Sequence, residues 1–290
     1  MAAIELGRRA VQRVWGRKRL PPPFESLSGG DGPIGEIWFE PPEGCPDLLV
    51  KYLFTTEPLS IQVHPGAAEA AIRGLDCCKD EAWLVVDAEP GAAIGLGLTR
   101  SVDREALRAA SVSGEIEQLL NWHPVAPGEI LYSPAGTVHA IGGGLSIIEI
   151  QQNCDVTYRL YDYGRGRELQ LDEAVSAARP EPCLPTARPR DAGDGRVIHV
   201  EGGHFVLERW TGPRAVALDD AVTLIPVRDC GEIDGAPLQA GTVWMTNGSA
   251  TLRLTAGADL LVAYSGSEPR AFPAAWPGHS SARSSASRTR

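Results

Sequence analysis

A chain of 290 residues with 43% apolar and 22% charged content can bury a substantial core, as one large domain or two smaller ones. Its net charge of −10 and pI of about 5.1 exclude nucleic acid and anionic membrane as principal partners, and any anionic ligand would need a local basic cluster. The 32 glycines and 23 prolines punctuate short apolar runs instead of collecting in one tract, which is the distribution of a β-rich fold with many turns.

Six cysteines (Cys45, Cys77, Cys78, Cys154, Cys183 and Cys230) form no CxxC pair, and the neighbouring Cys77 and Cys78 are badly placed for a disulfide with each other. The start of the chain has no apolar run of signal-peptide length, and no later segment is long enough to span a bilayer. A reduced, cytoplasmic protein is therefore expected; separately, the chain is expected to be a monomer or a weak homodimer.

Residues 1–33 are basic and then rich in proline and glycine, and are expected to wrap the outside of the fold. At their end Gly30, Gly32 and Gly35 have the form G-x-G-x-x-G, but Pro33 interrupts the match and no strand precedes it, so no dinucleotide site is read there. Strands are expected over 34–40 and 48–56, then LSIQVHP, a short helix in 66–75, and strands over 81–89 and through GAAIGLGL. SVDREALRAA reads as a helix capped by its serine, SGEIEQLLNWHP as a second helix closed by Pro124, and ELQLDEAVSAAR as a last one ended by Pro180. Between them, 125–163 returns to strands. The proline-rich 180–195 reads as a connector, 196–272 as six short strands of a second barrel, and the Ser/Arg-rich 273–290 as a disordered tail.

The chemistry concentrates in GEILYSPAGTVHAIGGGLSIIEIQQNCDVTYRLYDYGR. Gly128, Pro134, Gly136 and His139 follow G-x5-P-x-G-x2-H, a tight turn that delivers a histidine to the next strand. Glu149 sits alone in the apolar run LSIIEI, where a charge is costly unless something compensates it. Gln62 and His64, at i and i+2 of a strand, leave one face together, and Glu81 opens another strand after KDE. Two imidazoles, a carboxylate and an amide oxygen from three strands suit Zn²⁺ or a similar divalent ion. Any one of these residues alone reads more simply as a satisfied half-buried side chain. The set, taken together, does not.

The G-x5-P-x-G-x2-H spacing resembles the second metal motif of the cupin superfamily, with QxH where the first motif usually has HxH and Gly143 where an asparagine is usual. Together LSIQVHP, KDEAW, PAGTVHA and the run from IIEIQQN to YRLYDYGR resemble the type I phosphomannose isomerases, as do VWG and GEIWFE near the start. The resemblance covers about residues 14–165. It implies a mainly β fold of two tandem cupin-like jelly-roll barrels with a few short helices, the metal-binding one over 34–179 and a second without a metal site over 196–272. It implies one zinc ion held by Gln62, His64, Glu81 and His139, and a small phosphorylated sugar as partner, with mannose 6-phosphate and fructose 6-phosphate interconverted through an enediol(ate). It places Arg159, Glu149 and Lys79 in the pocket as catalytic residues, and Ser60, Lys79 and Arg159 at the substrate.

The residue that moves the proton stays open between Glu149, Lys79 and a zinc-bound water. Cys154 stands where the family commonly has serine, and the helical insert of the longer fungal-type members is absent. His123, His199, His204 and His279 read as ordinary structural or surface residues. The alternatives to an isomerase are a non-catalytic sugar-phosphate sensor on the same fold and, less well matched, an iron-dependent cupin oxygenase.

Overall fold

The computed structural model describes residues 3–42, 48–183 and 189–273. Two β units stand back to back. The first has a six-stranded sheet, in spatial order Arg8–Arg17, Ile34–Phe39, Leu48–Phe54, Leu145–Gln152, Glu81–Ala88 and Ile130–Ser133. It faces a five-stranded sheet of Tyr158–Tyr161, Ile61–Val63, His139–Ile141, Ala93–Leu98 and Leu120–Pro124. The second unit pairs a seven-stranded with a four-stranded sheet. The expected tandem of cupin-like barrels is what the chain builds.

Alternation along the central strands explains why their sequences read as unbroken apolar runs. In Leu48–Phe54, Val50, Tyr52 and Phe54 point backward into a cluster shared with Phe205, Leu207, Ile225 and Leu261 of the second unit. Leu49, Lys51 and Leu53 point to the other face of the strand. In Leu145–Gln152, Ile148 and Ile150 likewise go to the shared cluster, while Leu145 and Ile147 join the inner one. Both faces of this sheet are buried, so its polar residues stand on strands that are otherwise apolar. Glu149 is one of them.

The outer face of the five-stranded sheet is covered by the helices Arg104–Ser113 and Leu171–Ala177, whose Leu107, Ala110, Ala174 and Val175 pack on Ile61, Val63, Val138, Ala140 and Leu160. Arg104–Ser113 is capped by Asp103, which accepts from the Ala106 amide at 2.7 Å, and closed by Gly114 at φ 85°. The cap is thus Asp103 and not the expected serine, Ser101.

Other expectations also needed correction. Residues 1–33 do not simply wrap the outside. Ala3–Glu5 pairs with Trp244–Thr246 in the second unit, and Arg8–Arg17 then pairs with Ile34–Phe39 in the first, so this segment stitches both units. The helix read over SGEIEQLLNWHP lasts only for Ile116–Leu119 and gives way to the strand Leu120–Pro124, because ladder bonding to Ala93–Leu98 overrides local helix propensity. Part of the proline-rich connector, Arg190–Gly193, is a strand paired with Arg196–Val200, and the second unit has more strands than the six expected. The tail expected over 273–290 lies almost wholly outside the described residues, as does Cys45. Cys77 and Cys154, 77 positions apart, form a disulfide, so the all-reduced reading fails. Cys154 therefore cannot stand in for a serine hydroxyl.

Candidate metal centre and substrate cavity

Two rows of inward-facing residues oppose each other in the first unit. On the six-stranded sheet, register places Trp38 beside Lys51, Lys51 beside Glu149 and Glu149 beside Trp83, with Gln151 beside Glu81 one step along. On the facing sheet Arg159 lies beside Gln62, and Gln62 beside His139. The rows enclose a cavity of about 450 Å³ lined by Ser60, Gln62, Lys79, Glu81, Glu149 and Arg159, and also by Arg13, Glu36, Trp38, Lys51 and Arg167.

His64, Glu81 and His139 present ligand atoms within 4.8 Å of one another. The turn after Pro134 aims His139, since Gly136 adopts φ 86° and its amide bonds to the His64 carbonyl. His64 Nδ1 lies 2.8 Å from the Val156 carbonyl and His139 Nδ1 2.9 Å from the Thr137 carbonyl. A carbonyl can only accept, so each Nδ1 carries the proton and each Nε2 keeps a lone pair, approached at 3.3 Å by Lys79 Nζ on His64 and at 3.3 Å by Gln62 Nε2 on His139. Those Nε2 atoms lie 3.2 and 3.3 Å from the two oxygens of Glu81. Burial, and for His64 also Lys79, pushes both imidazoles down, His139 to about 4, so both are neutral at pH 7.

Glu81 is 1% exposed. Burial alone would raise its carboxyl, but Lys79 and the two histidines hold it well below the usual carboxylate range. Lys79 Nζ stands 2.7 Å from Glu81 Oε1, an ion-pair distance, yet neither Glu81 oxygen accepts a well-formed hydrogen bond. A buried, ionised carboxylate with unused lone pairs between two correctly oriented imidazoles fits a divalent cation. The Gln62 amide stands beside them, its Nε2 3.3 Å from His139 Nε2 and its Oε1 accepting from Ser60 Oγ at 3.1 Å.

Glu149 accepts from Trp83 Nε1 at 3.0 Å and lies 3.5 Å from Lys51 Nζ. Burial and then Glu81 push its carboxyl above the usual range, against Lys51 and Lys79. Lys79 is opposed by burial but held above the ordinary lysine value by Glu81 and Glu149. Arg159 differs from the other cavity cations. Lys51, Lys79, Arg13 and Arg167 each have a carboxylate within ion-pair distance. Arg159 pairs with no carboxylate among the described residues, Asp155 and Asp162 included, and has only Gln170 as side-chain partner, at 3.4 Å, with its Nε unsatisfied. Its guanidinium is available to an anion.

The structure gathers all the expected residues, Ser60, Gln62, His64, Lys79, Glu81, His139, Glu149 and Arg159, around one centre. Sequence reasoning missed Lys51, Glu36 and Trp38. Lys51 was detectable as a lysine inside LLVKYLF, by the logic that singled out Glu149.

No family model matches the chain, but individual relatives do. A mannose-6-phosphate isomerase of Streptococcus mutans is 40% identical over 172 residues, 56% of this chain and 54% of that protein. A probable mannose-6-phosphate isomerase of Bacillus subtilis is 32% identical over 207 residues, 64% and 65% of the two chains. The crystal structure of the mannose 6-phosphate isomerase of B. subtilis superimposes with a TM-score of 0.79 at 25% identity, over 91% of this chain and 100% of that one. The chain is similar in sequence and in fold to mannose-6-phosphate isomerases. The sequence matches span about half to two thirds of these curated relatives. A phosphomannose isomerase variant from Salmonella typhimurium, at 15% identity and TM-score 0.71, shares the fold. Among the described residues no helix is long and apolar enough to cross a membrane.

Proposed function

We propose that the protein is a zinc-dependent aldose–ketose isomerase interconverting mannose 6-phosphate and fructose 6-phosphate. The observation that carries this reading is a three-residue cluster fit for a metal, His64, Glu81 and His139, at a cavity that also holds Arg159, a cation with no carboxylate partner among the described residues. The enzymes it resembles are named for the same reaction.

Gln62, His64, Glu81 and His139 would hold the ion. When bound, zinc supplies a Lewis acid for the substrate's carbonyl and hydroxyl oxygens. The chain's own residues supply the rest. Arg159 takes the phosphate, with Ser60 on the same wall, and so fixes which carbons reach the metal end. Glu149 is assigned the carbon proton transfer: it removes the proton from C2 of the aldose and returns it to C1 of the enediol(ate), while the hydroxyl proton on O2 passes to O1, the reverse reaction running the same way. A buried carboxylate of raised proton affinity suits that task. Lys79, held as an ammonium beside Glu81, faces the sugar oxygens and stabilises their developing negative charge. Lys51 steadies Glu149, and its ammonium lies 4.2 Å over the Trp38 ring.

Turnover of mannose 6-phosphate but not of mannose, with loss of exchange between substrate C1/C2 protons and solvent in Glu149→Gln, tests both halves. Equal rates on mannose would contradict the phosphate assignment. Undiminished exchange in Glu149→Gln would contradict the proton assignment.

A further inference from the structure

Asp80 lies between two pocket residues, Lys79 and Glu81, yet its side chain points away from the cavity and is 5% exposed. Each of its oxygens has a partner on a different element. Oδ1 accepts from the Ala135 amide at 2.8 Å, inside the turn that delivers His139. Oδ2 accepts from Tyr132 Oη at 2.7 Å and from Nδ1 of His204 at 2.9 Å. His204 belongs to the second unit. The Asp80 amide in turn donates to Gln152 Oε1 at 3.0 Å, and Cys78 Sγ lies 3.4 Å from that oxygen and 3.5 Å from His204 Nε2.

The approach of the second unit is close. A Cβ at Gly203 would stand 2.4 Å from Tyr132 Oη and 3.1 Å from Asp80 Oδ2, so a larger residue there would displace the groups that meet at this carboxylate.

We infer that Asp80 is a positioning residue for the metal centre and that His204 of the second unit completes its hold. One carboxylate fixes two ligand-bearing segments relative to each other: the strand start that carries Glu81 and the turn that aims His139. An ionised acceptor making three such bonds confines both backbones more tightly than packing would. Metal ligands held in place by outer hydrogen bonds bind the ion more strongly. The second unit, which has no metal cluster among its described residues, thereby acts on the metal of the first. This inference rests on the metal reading above and adds the part played by the second unit.

The test uses the full chain and measures zinc affinity by competition with a chromophoric chelator, with the thermal unfolding midpoint recorded alongside. His204 is half exposed and touches no ligand, so its variants are expected to fold. His204→Phe, which fills the space without a donor, is expected to weaken zinc binding about tenfold. His204→Gln, which restores an N–H donor, is expected to recover most of that loss. A His204→Phe affinity within about twofold of wild type, or a loss that glutamine does not repair, overturns the inference, whatever happens to the midpoint. A wild-type protein that binds no zinc overturns the metal reading and this inference with it. Wild-type binding with unchanged His204→Phe overturns this inference alone.

Discussion

The two units carry the same small constellation and put it to different use. In the first, Glu36 accepts from Trp38 Nε1 at 2.7 Å and from Arg13 at 2.8 Å. In the second, Glu208 accepts from Trp210 Nε1 at 2.7 Å and from Arg196 at 2.8 and 2.9 Å. In both, glutamate and tryptophan are two apart on one strand and the arginine comes from the neighbouring strand. Around Glu36 the inner faces continue with Lys51, Glu149, Glu81 and His139 and leave a cavity. Around Glu208 they continue with Val206, Leu224, Leu252 and Val262, while Tyr264 Oη adds a fourth donor at 2.6 Å and Phe272 packs 4.8 Å from Trp210. The framework is shared. What separates a site from a core is which inward positions are charged.

Removing a metal ligand should break this contrast most. His139→Ala is expected to lose stoichiometric zinc and to lower turnover by about 10³-fold, since Lewis-acid stabilisation is worth several kcal/mol. Metal analysis together with a coupled isomerase assay checks it. Glu208→Ala should act on the other side of the comparison. It leaves half-buried Arg196 and the donors Trp210 Nε1 and Tyr264 Oη without their acceptor and should cost about 3 kcal/mol of stability, read by urea unfolding, while the kcat of the folded fraction stays near wild type. A matching fall in kcat would show that the second unit is not simply structural at that position.

Arg159→Ala should lower kcat/KM for the sugar phosphate about 100-fold, two charge-assisted hydrogen bonds being worth about 3 kcal/mol. The smallest effect concerns pH. Burial and then Arg209 push His199 of the second unit down to about 4. The unfolded chain, titrating near the ordinary value of about 6.5, takes up a proton the fold refuses. The stability from a neutral His199 is therefore full above that value and is lost as pH falls toward 4. His199→Gln should flatten that part of the stability profile, as measured by urea unfolding at neutral and mildly acid pH.

Much of the first unit was legible from sequence because its signals are chemical contradictions. Glu149 in LSIIEI and the Gln62–His64 pair each demand a reason, and the PAGTVH turn supplies a direction. The facing rows follow from alternation alone once strand register is known. What stayed hidden depends on contacts far apart in sequence. Ala3–Glu5 gives no hint that its partner is Trp244–Thr246, and Cys77 gives none that its partner is Cys154. His204 looked ordinary because its partner, Asp80, lies 124 positions away. The helix expected through SGEIEQLLNWHP shows the same thing, since pairing with Ala93–Leu98 makes its end, Leu120–Pro124, a strand.

The most direct test of the central claim is isomerase turnover with mannose 6-phosphate on the full chain, before chelation, after exhaustive chelation and after zinc is returned. The expected result is loss of turnover with the metal and its recovery at one zinc per chain. A fully zinc-loaded, folded protein that leaves mannose 6-phosphate unchanged would contradict it.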